Sequence, residues 1–402
     1  MTFWFSVVAT ISNWYGGSVE ALGLSMWEAL GCAFGGQLLI SVIIVLNGRA
    51  GTAHHIGFPV LNRSAFGIYG GLWPTFSRAV ISIVWNGVNA VQGGQSIYVM
   101  LRAIFPTIAD ISNTIGSGSA LTSGEMIEFA IFFIITCCFL IIPVSKMKGL
   151  VYSKLVVFII SELALLILML ILAGGIGPVA SQGSTVSGPE KSRLIVRFFF
   201  LGAANCATFA SNASDFQRYA GKKTDVIFGN VLGFLLSNLI VGIVGNIVYA
   251  SSQVVFGELI CPWYLLGIAS IFISFLSSYQ IFLLSITGVL LANYYLVARG
   301  YLKIPDLFSD SKHGAYYFFH GFGIQAFVAY IIGIIPSFYG FLNNIGINAS
   351  NGVVKTILSA GTYYLYCWLW PVPIQFNEGW KEPEDYEQEN DSDIEKYENQ
   401  LK

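Results

Sequence analysis

An indole and two carboxamides recur at helical spacing in the apolar run 78–101. Trp85, Asn89 and Gln92 stand at positions i, i+4 and i+7, so an α-helix places them on one face. An indole stacks on a flat ring, and carboxamides pair with ring N–H and C=O edges. The pattern predicts a binding face for a small heterocycle. The residues leave one alternative open, a helix–helix contact held by Asn and Gly.

Two other segments place small and polar residues inside apolar runs. They read ATISNWYGGS at 9–18 and NCATFASNASDFQRY at 205–219. Such segments predict interrupted helices, which expose backbone groups to a ligand at the membrane midplane. Their places in the first and sixth runs predict two inverted repeats of five helices. Asp215 and Arg218, at i and i+3, predict a structural or gating ion pair at the inner mouth rather than substrate ligands.

The surrounding composition is that of a membrane protein. Hydrophobic residues make up 55% of the 402 residues and charged residues 10%, against about 25% charged in soluble domains. Apolar runs near 20 residues match a bilayer core. They predict an all-α polytopic membrane protein with ten transmembrane helices, at 3–22, 27–46, 78–101, 126–143, 151–173, 194–211, 225–250, 279–297, 323–342 and 353–371. A further run, 262–276, is too short to span comfortably.

Charge predicts the orientation and the domain limits. With the N-terminus cytoplasmic, the inner loops hold eleven Lys and Arg and the outer loops five, which predicts that both termini are cytoplasmic. The stretch 377–402 holds ten of the 22 acidic residues and three of the 20 basic ones. We therefore predict a transmembrane permease domain at 1–375 and an acidic disordered cytoplasmic tail at 376–402.

The remaining chemistry of the sequence does not indicate an enzyme. The six Cys and four His lack metal-ligand spacing, and the sequence contains neither a nucleophile motif nor a phosphate-binding loop. We therefore predict no catalytic residues, no metal and no organic cofactor. The predicted partners are a small heterocyclic substrate and the lipid bilayer, and no nucleic acid.

At the level of motifs, the chain resembles the fungal uracil/allantoin permease branch of the nucleobase–cation symporter family. The resemblance runs from residue 3 to about 373. It rests on LNGRAG at 46–51, HIGFPV at 55–60, RSAFG at 63–67, WNGVNAVQGGQ at 85–95, RAIFP at 102–106, NASDFQRYA at 212–220 and YYLVARGYL at 294–302.

This resemblance implies a LeuT-like fold, with two inverted five-helix repeats plus two extra helices, and proton- or sodium-coupled uptake across the plasma membrane. The family's substrate-stacking Trp falls on Trp85, and Asn89 stands where the family commonly has Gln. An aromatic residue common in the sixth helix is replaced by Cys206. With the helical stripe, the resemblance gives a substrate site of Trp85, Asn89, Gln92, Cys206, Ala207 and Thr208, and a cation site with Ala9, Ser12 and Asn13.

Two departures from the family pattern predict an incomplete fold of about ten helices. The usual cytosolic segment before the first helix is missing. Between Ile260 and Cys261 the chain jumps from the end of family helix seven to the end of helix nine. Family helix eight carries part of the cation site and a substrate-binding Asn. Two explanations stay open, an incomplete gene model and a truncated, inactive paralogue.

The sequence therefore favours a symporter that imports uracil, allantoin or a related heterocycle. Its alternatives are a thiamine or nucleoside permease of the same family, and a paralogue that keeps the scaffold without transport.

Overall fold

The computed structural model describes residues 23–105, 107–108, 114, 122–141, 148–220, 225–257, 269–342, 352–373 and 379–381. Within these ranges the regular structure is helical, and the one β-type contact is the isolated bridge between Phe319 and Phe322. The predicted cation-site residues Ala9, Ser12 and Asn13 lie outside the described residues, as does the whole predicted span 3–22.

The helices of the described residues follow in chain order. They are α1 (Met26–His54), α2 (Phe58–Phe66), α3 (Leu72–Ile104), α4 (Ser123–Leu140), α5 (Lys148–Leu172), α6 (Ile176–Ala180), α7 (Gly188–Asn205), α8 (Ala207–Ser211), α9 (Ala213–Gln217), α10 (Asp225–Phe256), α11 (Ala269–Leu291), α12 (Ile304–Leu307), α13 (Ile324–Leu342) and α14 (Gly352–Leu369). A π-helical turn, Ala292–Val297, continues α11.

Helices cover the nine predicted runs from 27–46 onward, with ends that differ by up to ten residues, and the run 194–211 is divided between α7 and α8. The further run 262–276 is described only from residue 269 onward. That part belongs to the same helix as the run 279–297, because α11 begins at Ala269 and continues through the serines at 277–278. Serine is tolerated inside a membrane helix, since its hydroxyl can bond to a carbonyl of the preceding turn.

Three described helices are long and apolar enough to cross a bilayer. They are α1, the part Gly149–Leu172 of α5, and the part Gly229–Phe256 of α10. The apolar surface of α5 is largely uncovered, since Ile160 and Ile171 are 64% and 71% exposed. Exposed aliphatic side chains along a whole helix are stable when lipid is the solvent.

The described residues separate into two compact units, one of those that fall within 1–76 and 155–402 and one of those that fall within 77–154. In the first unit α1 packs against α7, α9 and α10, and α11 packs against α13 and α14. Close approach along α1 depends on small residues: a Cβ on Gly36 would lie 2.3 Å from the Phe199 carbonyl oxygen.

The second unit contains most of α3 and the whole of α4. A capping box starts α4, because Glu125 N–H donates to Thr122 Oγ1 and Thr122 N–H donates to the Glu125 carboxylate. The two helices meet at glycines: a Cβ on Gly93 would lie 2.3 Å from the Phe132 ring, and one on Gly94 would lie 3.1 Å from Phe129 N.

Candidate functional site

The predicted substrate stripe lies on a continuous helix in the second unit. Trp85, Asn89 and Gln92 all belong to α3, so they share one face as expected. Trp85 and Gln92 are half-buried and Asn89 is exposed. The Gln92 Nε2 atom is buried and has no hydrogen-bond partner within the part of the chain that the structure describes. An amide nitrogen without a partner can donate a hydrogen bond to a bound ligand.

The same helix contacts α4 through a different face. At about 100° per residue, Gly94 lies roughly half a turn from the middle of the stripe, and Gly94 is where α4 comes close. Gly93, the other close contact, lies roughly a quarter turn away. The contact between α3 and α4 is therefore made by glycine, and Asn89 does not hold these two helices together. This separation favours the ligand-binding interpretation of the stripe.

The predicted break in the sixth span is confirmed, and it is double. Helix α7 ends at Asn205, α8 is a single short turn, and α9 follows after Asn212. Cys206 (φ −106°, ψ 8°) and Asn212 (φ −103°, ψ 28°) lie outside the helical region at the two breaks. The predicted substrate ligands Cys206, Ala207 and Thr208 are all buried at the first break, in the first unit.

At the second break, the Asn47 side chain binds backbone carbonyls that the sequence analysis expected to face a ligand. Asn47 Nδ2 of α1 donates to the carbonyl oxygens of Ala210 (2.7 Å) and Ser211 (2.9 Å). The last carbonyls of a helix lack intrahelical donors, so Asn47 satisfies the end of α8. The sequence identified Asn47 only as part of a family motif and did not predict this contact.

Glycines let α1 approach the broken segment closely. A Cβ on Gly48 would lie 1.9 Å from the Gln217 amide, and one on Gly51 would lie 2.6 Å from Ser214 Cα. Gln217 Nε2 in turn donates to the Ile44 carbonyl at 3.0 Å. The motif at 46–51 thus supplies one amide and two close-approach positions that hold α8 and α9 against α1.

Asp215 caps the start of a helix. Its Oδ1 accepts from Phe58 N–H at 2.8 Å, and Phe58 is the first residue of α2, whose N-cap Gly57 offers no side-chain bond. A carboxylate at a helix N-terminus is stabilised by free N–H groups and by the helix dipole. Asp215 therefore connects the broken segment to the α1–α2 hairpin, which the sequence did not predict.

Arg218 completes the connection to this hairpin. His55, with a left-handed backbone (φ 52°), places Nδ1 2.9 Å from the Arg218 carbonyl oxygen. The guanidinium donates to the Tyr219 hydroxyl at 2.8 Å. An ideal Cβ on Gly57 would lie 2.8 Å from Asp215 Oδ1 and 3.0 Å from Arg218 Nη1. Both predicted gating residues thus flank Gly57, and their role in gating stays a prediction.

Two further motif residues cross-link helices of the first unit. Ser64 Oγ of α2 accepts from Asn293 Nδ2 at 2.8 Å, and Asn293 Oδ1 accepts from the Tyr363 hydroxyl at 3.0 Å. Arg63 Nη1 donates to the Leu307 carbonyl at 2.8 Å. The chain of buried polar groups joins α2, the π-helical turn and α14. Fully bonded networks of this kind fix a packing arrangement.

In the loop after the π-helical turn, an acidic side chain holds two segments together. Asp306 Oδ2 accepts from Ala315 N–H at 2.8 Å and contacts Lys303 Nζ at 3.0 Å. The Ala315 N–H, with help from Lys303, lowers the pKa of Asp306 below its ordinary value. The loop between α12 and α13 is therefore ordered by charge.

Part of the predicted tail packs onto the first unit. Trp380 stacks on Tyr295 with ring centroids 5.5 Å apart. The Arg49 guanidinium lies 5.7 Å from the centroid of the Trp380 ring. Trp380 is thus in contact with helical residues, and Lys381 N–H donates to the Arg299 carbonyl, while 382–402 lie outside the described residues. The disordered state of the tail stays a prediction.

Comparison with known proteins identifies the family. The sequence model described as "Permease for cytosine/purines, uracil, thiamine, allantoin" matches residues 1–260 and 258–365. An uncharacterised permease of Schizosaccharomyces pombe is 27% identical, covering 92% of this chain and 77% of that protein. The allantoin and uracil permeases of Saccharomyces cerevisiae are 28% and 27% identical, each covering 92% of this chain and 73% of the relative.

Solved structures give the same fold. Mhp1, a nucleobase-cation-symport-1 family transporter, matches in a closed conformation with bromovinylhydantoin bound. That match has 15% identity and a TM-score of 0.67, and it covers 92% of each chain. Inward-facing Mhp1 matches with 14% identity and a TM-score of 0.70, covering 94% of this chain and 91% of that one. The family and the structural neighbours are transporters, not enzymes.

The comparisons also bear on the predicted jump in the chain. The two matched segments meet at residues 258–260, beside the junction between Ile260 and Cys261. The alignment with the Schizosaccharomyces pombe permease runs over 460 positions, more than the 402 residues of this chain. The relative therefore carries sequence that this chain lacks.

Proposed function

We propose that this chain, which belongs to the family of permeases for cytosine/purines, uracil, thiamine and allantoin, imports uracil, allantoin or a related heterocycle. Transport is coupled to protons or sodium across the plasma membrane, with both termini cytoplasmic. The observation that carries the proposal is the α3 stripe of Trp85, Asn89 and Gln92, whose face lies away from the glycine contact with α4.

The stripe suits a flat heterocycle by its chemistry. Trp85 supplies an apolar ring for stacking, and the buried, unpartnered Gln92 Nε2 supplies a donor for a carbonyl edge. Asn89 is shorter than the Gln common in the family, so it reaches one methylene less far towards the ring. The length of the amide side chain decides which edge of the ring it can hydrogen-bond. A site that hydrogen-bonds its substrate discriminates strongly against analogues that lack the matching group. Thiamine or nucleoside transport is the alternative within the family.

A second candidate follows from the junction. The family match is split at residues 258–260, and the resemblance implies that a chain with this junction lacks the region that carries part of the family's cation site. Such a chain keeps the α1–α9 scaffold and has no coupled transport. The packing of α1 on the broken segment does not depend on that region.

The test begins with the transcript across the codons for Ile260 and Cys261. The expressed product is then assayed for uptake of labelled uracil and allantoin, with Trp85→Ala as the site variant. Ile83→Ala is the matched control, since Ile83 lies on the same helix, away from the stripe, and is 71% exposed. We expect saturable uptake that Trp85→Ala abolishes and Ile83→Ala preserves. A confirmed junction with no uptake leaves the non-transporting candidate.

A further inference from the structure

A buried acidic side chain in α4 has no part in the site described above. Glu128 is 3% exposed, and its Oε1 atom has no hydrogen-bond partner among the described residues. The predicted span 126–143 contains it. A charge at that depth is costly unless it is paired. A carboxyl in this state within a predicted membrane span is a candidate functional group.

The carboxyl faces a small cavity inside the second unit. Val91 and Gln95 of α3, with Glu125, Glu128 and Phe129 of α4, line this cavity, which has a volume of about 10 Å³. That is room for one water-sized sphere. Water reaching the cavity can exchange a proton with the carboxyl, whereas a heterocycle is far too large to enter.

The two acidic residues at the cavity differ in their bonding. Glu125 Oε2 accepts from Thr122 N–H (2.7 Å) and Thr122 Oγ1 (2.9 Å), so its carboxylate serves the helix cap. Glu128 Oε1 lies 3.7 Å from the ideal Cβ position on Gly124, turned back towards the first turn of the helix. The Glu125 carboxylate is therefore occupied as the acceptor of the helix cap, whereas Glu128 Oε1 is not occupied among the described residues.

The lining favours a proton over a metal ion. Among the described residues, no group of three or more His, Cys, Asp or Glu side chains is placed to hold a metal. The lining supplies Gln95 and two carboxylates as side-chain oxygen sources, while hard cations such as Ca²⁺ take six to eight oxygens. The described residues that line the cavity include no Lys, Arg or His, and Glu125 is the other titratable group among them. A proton needs one oxygen and removes the charge.

We propose that Glu128 is a proton-carrying residue that takes up and releases one proton through this cavity. On uptake, an O–H bond forms at Oε1 as an O–H bond of a hydronium ion breaks and leaves water, so charge and atoms balance without a redox step. This proposal rests on the proposed transport function and names its coupling ion. Gln95 stands three residues beyond Gln92 on α3, so the proton is exchanged beside the helix that carries the substrate stripe.

The first test does not depend on transport. The infrared band of a protonated carboxylic acid is followed while pH is varied on the purified chain. Glu128→Gln is the site variant and Glu125→Gln the matched control, since glutamine at that position keeps the capping box. We expect Glu128→Gln to remove a titrating carboxylic band that Glu125→Gln retains. An unchanged band in folded Glu128→Gln overturns the proposal. If that variant does not fold, Glu128→Asp replaces it. This variant keeps a carboxyl at position 128, so we expect it to keep the titrating carboxylic band. Loss of that band from folded Glu128→Asp overturns the proposal.

The second test uses vesicles containing the chain and a pH gradient. One coupled proton gives about tenfold accumulation of a neutral substrate per pH unit, since about 1.4 kcal/mol is a factor of ten. We expect Glu128→Gln to lose this accumulation and Glu125→Gln to keep it. Accumulation that persists in Glu128→Gln overturns the coupling role. If the wild-type chain takes up nothing while the infrared result holds, the transport function fails and the protonation site stands.

Discussion

Replacing Asn47 by Ala removes the side chain that satisfies the second helix break. Two hydrogen bonds, of 2.7 and 2.9 Å, are lost together at a buried site. Each net bond contributes about 0.5–1.5 kcal/mol, and a buried carbonyl left without its donor costs about 1–3 kcal/mol. Both figures describe the same two carbonyls, so they are not added in full. We therefore expect Asn47→Ala to lower the free energy of unfolding by about 2–4 kcal/mol.

The matched control on the same helix is Ser41→Ala. Ser41 is fully buried, yet its Oγ donates to the Leu38 carbonyl of its own helix at 2.7 Å. That carbonyl already accepts within the helix, so the cost stays below about 1 kcal/mol. Unfolding of the purified protein in mixed micelles, followed by denaturant titration, measures both variants. Equal stability of Asn47→Ala and Ser41→Ala would refute the role given to Asn47.

Two further predictions concern packing and charge. Gly93→Ala is expected to cost about 1–3 kcal/mol, because its Cβ meets the Phe132 ring at 2.3 Å, whereas Gly87→Ala, with no atom of the described residues within 4 Å, stabilises by about 0.5–1 kcal/mol. Thermal unfolding compares the pair, and an equal effect of both contradicts the close contact. Asp306 has a lowered folded-state pKa, so its stabilising contribution is present above the unfolded pKa of about 3.9 and is lost as pH falls through the lower folded value. Asp306→Asn should therefore be less stable than wild type at pH 7, and the gap should close under acid; a gap independent of pH contradicts the assignment.

The helices were predictable because a membrane span requires a long run of apolar residues, which is visible in the sequence. A run of about 20 apolar residues has few alternatives in lipid, and each predicted run within the described residues overlaps a helix. The break in the sixth span was predictable for the same reason, since the small and polar residues at 205–219 are poor membrane helix formers, but its division into two breaks was not predicted. The described part of the run 262–276 continues into 279–297, because the serines there interrupt hydrophobicity without interrupting the helix.

The contacts of the broken segment were not predictable from local pattern. Asn47 and the carbonyl of Ala210 are 163 residues apart, as are His55 and the carbonyl of Arg218. Asp215 was expected to pair with Arg218 from its i, i+3 spacing, and its observed partner is the N–H of Phe58, 157 residues away. Helical spacing identifies neighbours on one helix, while the partners of a cap are set by tertiary packing.

Uptake of labelled uracil and allantoin by vesicles containing the purified product of the sequenced transcript tests the central claim most directly. Transport through the α3 stripe predicts saturable uptake, competed by the unlabelled heterocycle, and abolished by Trp85→Ala in a protein that folds like the wild type. Absence of saturable uptake above empty vesicles, from folded protein, contradicts it. Undiminished uptake by Trp85→Ala contradicts the assignment of the site.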